Sequence, residues 1–215
     1  NHAESIFEIQ YEKGYTGGSQ WSCQAHSRDL ATTLGVSTGA VTLPTADIIE
    51  KFDTGSARYE ATIGKLSGGG KMISHVKKHY MELSIQNHSD DNWPLLRYAD
   101  VLLMYAEALN ELNPTPTDEA IDCINQIRRR AFAVTDTSHD LTPAEIIDQQ
   151  TFREVIALER RLELCFEGHR WFDLVRTGEY MKVMNAHFER YNAGAYVVEN
   201  YNDLFPIPQL SLIHI

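Results

Sequence analysis

The sequence is poor in cysteine and contains no long apolar run. Its three cysteines, Cys23, Cys123 and Cys165, are too few and too scattered for a disulfide framework. Cys123 and Cys165 fall among the apolar residues of helical patterns, so we expect buried thiols there. No apolar run approaches the roughly 18 residues that a membrane-spanning helix needs. The first residues also lack the basic-then-apolar order of a signal peptide.

Basic residues are scarce too. Lysine and arginine total 19 against 30 aspartate and glutamate residues, which gives a net charge of -11. Such a chain repels phosphate backbones and anionic lipid surfaces, so we expect no nucleic-acid partner and favour neutral ligands. Neither H-E-x-x-H nor C-x-x-C occurs. With 215 residues, 43% of them hydrophobic, the chain can still bury a substantial core.

The segment from Trp93 to Leu112 is the most informative part of what is present, because its apolar residues form two stripes at helical spacing. The first stripe is Ala99, Leu102, Leu103, Ala106 and Leu109, and the second is Val101, Met104, Tyr105, Ala108 and Leu112. A helix buried on two faces lies between other helices, so the pattern predicts an inner layer of a helical scaffold. We expect this helix to start at Pro94 and to have further partners outside this chain.

Start and stop signals predict helices after it. Thr115, Pro116 and Asp118 match a helix start, and the short connection before it predicts an antiparallel pair. A second start falls at Thr142, with periodicity to Gly168 and a further short helix from His169 to near Gly178.

Before the two-striped segment, alternation predicts a strand from Phe7 to Tyr11, and a short helix is expected after Pro44. Arg58 to Ile63 are predicted to be extended, and Lys71 to Ile85 to be strand or irregular.

Three carboxylates, Glu159, Glu163 and Glu167, recur every four residues and fall on one helix face. Alone they would repel each other. Because Arg160, Arg161 and Arg170 lie within reach along the chain, we interpret the face as a charge-compensated structural network and expect no enzyme, metal or cofactor here. The pair His75 and His79 has metal-ligand spacing, but two lysines stand between them.

The long segment from Lys13 to Ala46 contains the best candidates for ligand contact. Sugars present apolar C–H faces beside hydroxyl groups, so their sites combine aromatic platforms with polar side chains. Tyr15 and Trp21 stand among such polar residues, including Gln24 and Arg28. The alternative is that Trp21 is a packing anchor that pins the segment to the core, and the sequence favours neither interpretation.

Several segments together carry a family resemblance. They are IFEIQY (6–11), PTADIIEKFDTGSARYEATI (44–63), LLRYADVLLMYAEALNEL (95–112), INQIRRRA (124–131), ERRLELCFEGHRWFDLVRTG (159–178) and LFPIPQ (204–209). In this order they resemble the C-terminal half of the SusD/RagB family of outer-membrane lipoproteins, which take up nutrients. The resemblance rests on motif residues that transfer no ligand site, namely Arg97, Asp100, Glu159, Glu167, Gly168, Arg170 and Asp173.

The resemblance implies a mainly α fold with tetratricopeptide-like helix pairs, long irregular loops and a few short strands. It also implies a non-catalytic protein at the outer membrane surface, held by an N-terminal lipid anchor that is absent from this chain. Such a protein captures oligosaccharide and delivers it to a SusC-type TonB-dependent transporter. The alternative is a helix-repeat module that contacts the transporter only and binds no glycan.

The ends of the chain carry two expectations. Residues 1–209 are predicted to be the C-terminal part of a SusD/RagB-like domain. Residues 210–215, LSLIHI, match one reading frame of a DNA-library adaptor and are predicted to be a non-native tail.

Overall fold

The computed structural model describes residues 4–12, 18–25, 28, 31–32, 42–68, 71–78, 89–132, 135–191 and 194–205. The chain divides into two compact units, Asn1–Glu167 and Gly168–Ile215, which are described one at a time. The predictions for Tyr15, for His79 and for residues 210–215 lie outside the described residues.

Helices carry most of the regular structure, as expected for a mainly α fold. The described strands are β1 (Ser5–Ile9), β2 (Ile63–Gly68), β3 (Lys71–Val76) and β4 (Trp93–Arg97). The described helices are α1 (Trp21–Ala25), α2 (Ala46–Lys51), α3 (Ala57–Thr62), α4 (Tyr98–Leu112), α5 (Asp118–Phe132), α6 (Gln149–Glu163), α7 (His169–Arg176) and α8 (Tyr180–Arg190). Among them, none is both long and apolar enough to cross a membrane.

The main core of the first unit lies among α4, α5 and α6. Leu103 of α4, Ile124 of α5 and Phe152 of α6 are fully buried in one apolar cluster. Burying each such side chain stabilises the fold by about 1.5–3 kcal/mol. The thiols of Cys123 and Cys165 are free and buried, as predicted.

Glu4 shows how α4 and α5 are oriented. Its carboxylate accepts a hydrogen bond from the backbone N–H of Ala99 at the start of α4. It also forms an ion pair with Arg130 near the end of α5. The two helices therefore run antiparallel, in agreement with the short connection between them.

α4 buries one face and exposes the other. Ala99, Leu103 and Ala106 of the first stripe are buried, whereas Met104 and Leu112 of the second stripe are 45% and 82% exposed. The described helices thus cover only one of the two predicted faces, and a cover for the second remains a prediction.

The predicted start of α4 at Pro94 is wrong. Residues 93–97 form β4, which pairs antiparallel with β1, and α4 begins at Tyr98. Proline is tolerated in β4 because a strand of a two-stranded sheet has an unpaired edge, where no N–H is needed.

Two other helix starts differ from the predictions. Thr142 and Glu145 do form side-chain and backbone hydrogen bonds with each other, but no helix follows, and α6 starts after Asp148, whose carboxylate accepts from Thr151 N–H. α5 is capped by Thr117, which accepts from Ala120 N–H, and not by Thr115. Local hydrogen bonds of this kind stabilise a turn as readily as a helix.

A second apolar cluster joins α2 and α3 to the end of α6. It contains Phe52, Tyr59 and Leu162. Residues 57–62 are helical and not extended, because Ser56 accepts a hydrogen bond from Tyr59 N–H and caps α3. β2 and β3 follow as an antiparallel hairpin in which Gly64 is paired with His75.

The second unit contains α7 and α8. Gly168 and Gly178 adopt left-handed φ angles of 86° and 72°, which favour glycine and separate α7 from its neighbours, as predicted. α8 was not predicted. Its Tyr180 hydroxyl donates to the carbonyl of Asn200 (2.7 Å), which holds the following irregular segment on the helix.

Candidate functional site

The three regularly spaced carboxylates are buried. Glu159 and Glu163 lie on α6, and Glu167 follows it at the end of the first unit; each is at most 5% exposed. Isolated carboxylates are too costly to bury in the ionised state, so their partners decide what this face can do.

Those partners come from elements far away in the sequence. Arg58 Nη1 of α3 donates to Glu159 (2.5 Å) and to Glu163 (3.3 Å). Arg97 at the end of β4 donates through Nε to Glu167 (2.7 Å) and through Nη2 to Glu163 (3.1 Å). Three further cations join the ion-pair network: Lys78 with Glu167, Arg130 with Glu163, and Arg128 with Glu159 (3.9 Å).

These cations keep Glu163 ionised. Burial alone raises the pKa of Glu163, but the charges of Lys78, Arg130, Arg97 and Arg58 outweigh burial and hold that pKa below its ordinary value. A general acid needs the opposite shift. Glu163 is therefore unsuited to act as a general acid, and its ion pairs stabilise the helix packing.

Two of the three partners predicted for this face, Arg160 and Arg161, are wrong, although the structure does show compensated charges; the pairing of Arg170 with this face stays a prediction. Arg160 pairs with Asp100 of α4 (2.8 Å), and Arg161 pairs with Asp47 of α2. Arg170 belongs to the second unit. The i, i+1 neighbours of a helical carboxylate point to other faces of the helix, which is why sequence proximity misled.

The motif residues separate into two groups. Arg97, Asp100, Glu159 and Glu167 all take part in ion pairs of the first unit. Gly168, Arg170 and Asp173 lie in the second unit, where Asp173 pairs with Arg176 (2.9 Å). The ion pairs described for both groups join parts of the fold to each other, which is a structural role.

A cleft of about 300 Å³ opens beside the ion-pair network. The charged residues that line it are Arg58, Lys78, Arg130 and Glu163, and small residues such as Ala57 and Ala61 leave the space. Each of these four charges already has an ion-pair partner in the network. Because these four charges are already engaged in ion pairs, this cleft is a poor candidate site.

Metal binding finds no support in the described part of the chain, where no group of three or more potential ligands clusters. His75 lies across the hairpin from Gly64, and burial lowers its pKa, aided by the charge of Lys77. The G-x-S-x-G match at residues 35–39 lies outside the described residues and is weak evidence without a strand–turn–helix context.

Trp21 begins α1 and lies against a second tryptophan. The ring centroids of Trp21 and Trp93 are 4.7 Å apart, with the planes inclined at 67°. Both residues are half-buried, while Gln24 and Arg28 are exposed. We call the pair with its surrounding residues 19–24 and 89–93 the aromatic corner.

Hydrogen bonds hold the two segments of the aromatic corner together. Ser19 and Ser89 exchange two backbone hydrogen bonds, of 3.0 and 2.9 Å. Ser19 Oγ also accepts from the backbone N–H of Trp21 (3.3 Å). Beside Trp93, the Asn92 side chain accepts from Tyr11 N–H and donates to Glu8. Aromatic surface and polar groups thus meet at one place.

The indole of Trp21 has one unusual feature. Its Nε1 has almost no accessible surface and no hydrogen-bond partner among the described residues. Leaving such a donor unpaired costs about 1–3 kcal/mol. Its buried position means that the exposed part of Trp21 lies on other atoms of the residue.

Trp21 therefore fits neither of its two interpretations completely, because it is packed on Trp93 and also partly exposed. Trp93 was not predicted as a site residue, because a helix was predicted to start at the next residue, Pro94. The polar residues Ser89 to Asn92 directly before Trp93 could have indicated a binding site. The contact with Trp21 could not be predicted, because the two tryptophans are 72 residues apart in the sequence.

Comparison with known proteins identifies the family. The SusD family model matches residues 56–212, and the chain belongs to the SusD family. A SusD-like protein, P38, of Formosa agariphila is 40% identical over 131 residues, which are 60% of this chain and 25% of that protein.

Solved structures agree on the fold. A SusD homolog from Bacteroides thetaiotaomicron superposes with a TM-score of 0.73 at 26% identity, covering 98% of this chain and 50% of that one. Surface glycan-binding protein A from the same organism, in complex with laminarihexaose, gives a TM-score of 0.73 at 20% identity with the same coverage. At that identity the second likeness concerns the fold alone. This chain therefore spans about half the length of these two solved relatives and a smaller share of the curated one.

Proposed function

We propose that this protein is a non-catalytic surface glycan-binding protein that captures oligosaccharide at the aromatic corner. The observation that carries the proposal is the half-exposed Trp21, which is packed on Trp93 and surrounded by polar groups. A saccharide stacks its C–H face on an aromatic surface and exchanges hydrogen bonds with polar side chains at the edge. Gln24 and Arg28, both exposed, are the candidates for those hydrogen bonds, and Tyr15 is a further candidate platform.

Charge favours an uncharged ligand. The chain carries a net charge of -11, and Glu8, Asp90 and Asp91 lie in the segments that form or border the aromatic corner. An anionic polysaccharide would meet a repulsive field on approach. We therefore expect neutral glycans; the structural relative that is solved with laminarihexaose provides a suitable first probe.

A non-catalytic role is consistent with the state of the carboxylates. A glycosidase needs two carboxyl groups at a cleft, one of them with a raised pKa. The best-defined carboxylate cluster instead holds the pKa of Glu163 below its ordinary value through four cations. Capture without cleavage is the simpler function.

Location and partner complete the proposal. We infer a position at the outer membrane surface, held by an N-terminal lipid anchor, with delivery of the glycan to a SusC-type TonB-dependent transporter. These elements rest on membership of the SusD family, and they would be tested by co-purification with a SusC-type transporter.

Affinity electrophoresis tests glycan capture directly. The chain is run through native gels that contain laminarin, starch, xylan or galactomannan, and alginate serves as the anionic control. We expect retardation by at least one neutral polysaccharide, and less retardation of Trp21→Ala than of Trp171→Ala, which removes a tryptophan of the second unit. Unchanged mobility in every gel would contradict the proposal.

A second function is favoured by the exposed stripe of α4. Met104, Tyr105 and Leu112 present apolar surface to solvent, which is typical of protein-interaction faces. A helix-repeat module that contacts only the transporter would bind no polysaccharide, yet would co-purify with the transporter and lose it on Met104→Glu substitution.

A further inference from the structure

Trp93 lies on the strand that links the aromatic corner to the ion-pair network. It opens β4, where it is paired with Ile9 of β1, and the same strand ends at Arg97. Arg97 is held by Glu4, Glu163 and Glu167 in the ion-pair network. β4 is held by its pairing with β1 and by the ion pairs of Arg97 at its end, so a side chain on this strand has little freedom to move.

Trp21 has weaker support of its own. α1 contains five residues, too few for a helix that is stable without tertiary contacts. Its start is held by Ser19 Oγ, and its segment is joined to residue 89 by the Ser19–Ser89 bridge. The contact with Trp93, at 4.7 Å between ring centroids, is a large apolar contact of the indole.

The buried Nε1 of Trp21 shows which way this contact turns the ring. Because Nε1 has almost no accessible surface, the N–H edge is directed away from solvent. A ligand at the exposed part of the indole would meet carbon atoms and not the N–H donor. Such a surface suits stacking against sugar C–H groups and makes no hydrogen bond.

We propose that Trp93 is a positioning residue that holds the Trp21 indole with its N–H edge inward, so that Trp21 binds saccharide by its carbon surface alone. This proposal rests on the proposed function, since it concerns the same site. It assigns separate roles to the two rings: Trp21 contacts the ligand, and Trp93 fixes the orientation of Trp21.

The test compares dissociation constants for the neutral glycan that retards the wild-type chain, with laminarihexaose as the first probe. Trp21→Ala is expected to weaken binding about tenfold or more, the equivalent of one lost stacking contact. Trp21→Phe and Trp93→Phe, which keep an aromatic ring at each position, are expected to stay within about threefold of wild type. Trp93→Leu is expected to approach the loss seen for Trp21→Ala, and Trp171→Phe serves as the control.

A spectroscopic measurement separates positioning from general stability. Two indoles in contact give an exciton couplet in the far-ultraviolet circular dichroism spectrum, which Trp21→Phe and Trp93→Phe should each remove and Trp171→Phe should not. We expect Trp93→Phe to lose the couplet and to keep glycan binding. That combination is not expected if the second indole itself contacts the ligand.

Several results would overturn the inference. A loss for Trp93→Phe as large as that for Trp21→Ala would mean that Trp93 contacts the glycan directly, and this result decides the matter even if Trp93→Leu does not fold. Wild-type affinity in a folded Trp93→Leu variant would mean that Trp93 positions nothing. Strong loss in Trp21→Phe would show that the indole N–H takes part. Absence of any binding by the wild-type chain would instead contradict the proposed function itself.

Discussion

The ion-pair network and the aromatic corner differ in almost every physical respect. The network is buried, and Glu163 at its centre is compensated by four cations from other elements. The aromatic corner is half-exposed, contains a buried indole N–H without an acceptor among the described residues, and depends on short backbone bridges. The carboxylates of the network are already paired with cations, whereas the exposed aromatic surface of the corner is available to a ligand. The most conspicuous charges in this chain therefore stabilise it, and recognition is expected from a less conspicuous pair of rings.

The largest expected effect concerns Glu163. Replacing it with alanine leaves Arg58, Arg97 and Arg130 without a shared carboxylate in a buried place, and breaking such a network costs about 3–5 kcal/mol. Urea unfolding monitored by circular dichroism measures the change. Glu111→Ala, which breaks an exposed pair with Arg153, is the control and should have little effect. Equal effects of the two substitutions would remove the distinction between buried and exposed pairs.

A smaller effect is expected at Gly64, which lies in the hairpin that leads to Lys78 of the network. A Cβ at this position would clash with the His75 ring, so Gly64→Ala must displace that ring. We expect a loss of about 1–3 kcal/mol, typical of overpacking. In a His75→Ala background the same substitution should cost much less. A thermodynamic cycle of these variants measures the coupling, and purely additive effects would contradict the predicted clash.

The pH dependence of stability provides a third test. Because the pKa of Glu163 is lowered in the folded state, its contribution is present above its unfolded pKa of about 4.3 and is lost as pH falls through the folded value. The difference in unfolding free energy between wild type and Glu163→Gln should therefore shrink as the solution is acidified below that unfolded value. Unfolding curves collected from neutral to acidic pH measure it, and a constant difference would mean that folding does not lower the pKa of Glu163.

The smallest expected change in stability is at the aromatic corner. Gln24 is exposed, so Gln24→Ala should alter the unfolding free energy by less than about 0.5 kcal/mol. We nevertheless expect it to weaken glycan binding, because it removes a polar contact beside Trp21. Affinity electrophoresis and urea unfolding of the same sample test both parts. A clear loss of stability without loss of binding would reverse the assignment of roles.

The sequence predicted the long elements better than the short ones. α4, α5 and α6 each carry 15 residues, so their apolar periodicity is unmistakable even where a boundary was misplaced. α3 was predicted to be extended because six residues show too little periodicity, although the Ser56 cap was present. Thr142 and Glu145 form the hydrogen bonds of a helix cap although no helix follows, because local hydrogen bonds do not determine the conformation of the residues after them.

The candidate site was predictable only in part. Trp21 and its polar neighbours could be found from composition, but the Trp21–Trp93 contact joins residues 72 positions apart, and no local pattern reveals it. The ion-pair network has the same character. Its carboxylates were visible at four-residue spacing, while Arg58 and Arg97 reach them from elements about 100 and 66 residues away. These partners are determined by tertiary packing and not by local propensity.

The central claim is that Trp21, and not the charged cleft or the second unit, meets the glycan. Fluorine NMR of the chain labelled with 5-fluorotryptophan tests it most directly, because the three tryptophans give three signals that Trp→Phe variants assign. On titration with a neutral oligosaccharide that the chain binds, we predict that the Trp21 signal shifts with the same dissociation constant as binding, while the Trp171 signal stays in place. A saturating titration that leaves the Trp21 signal unmoved would contradict the claim.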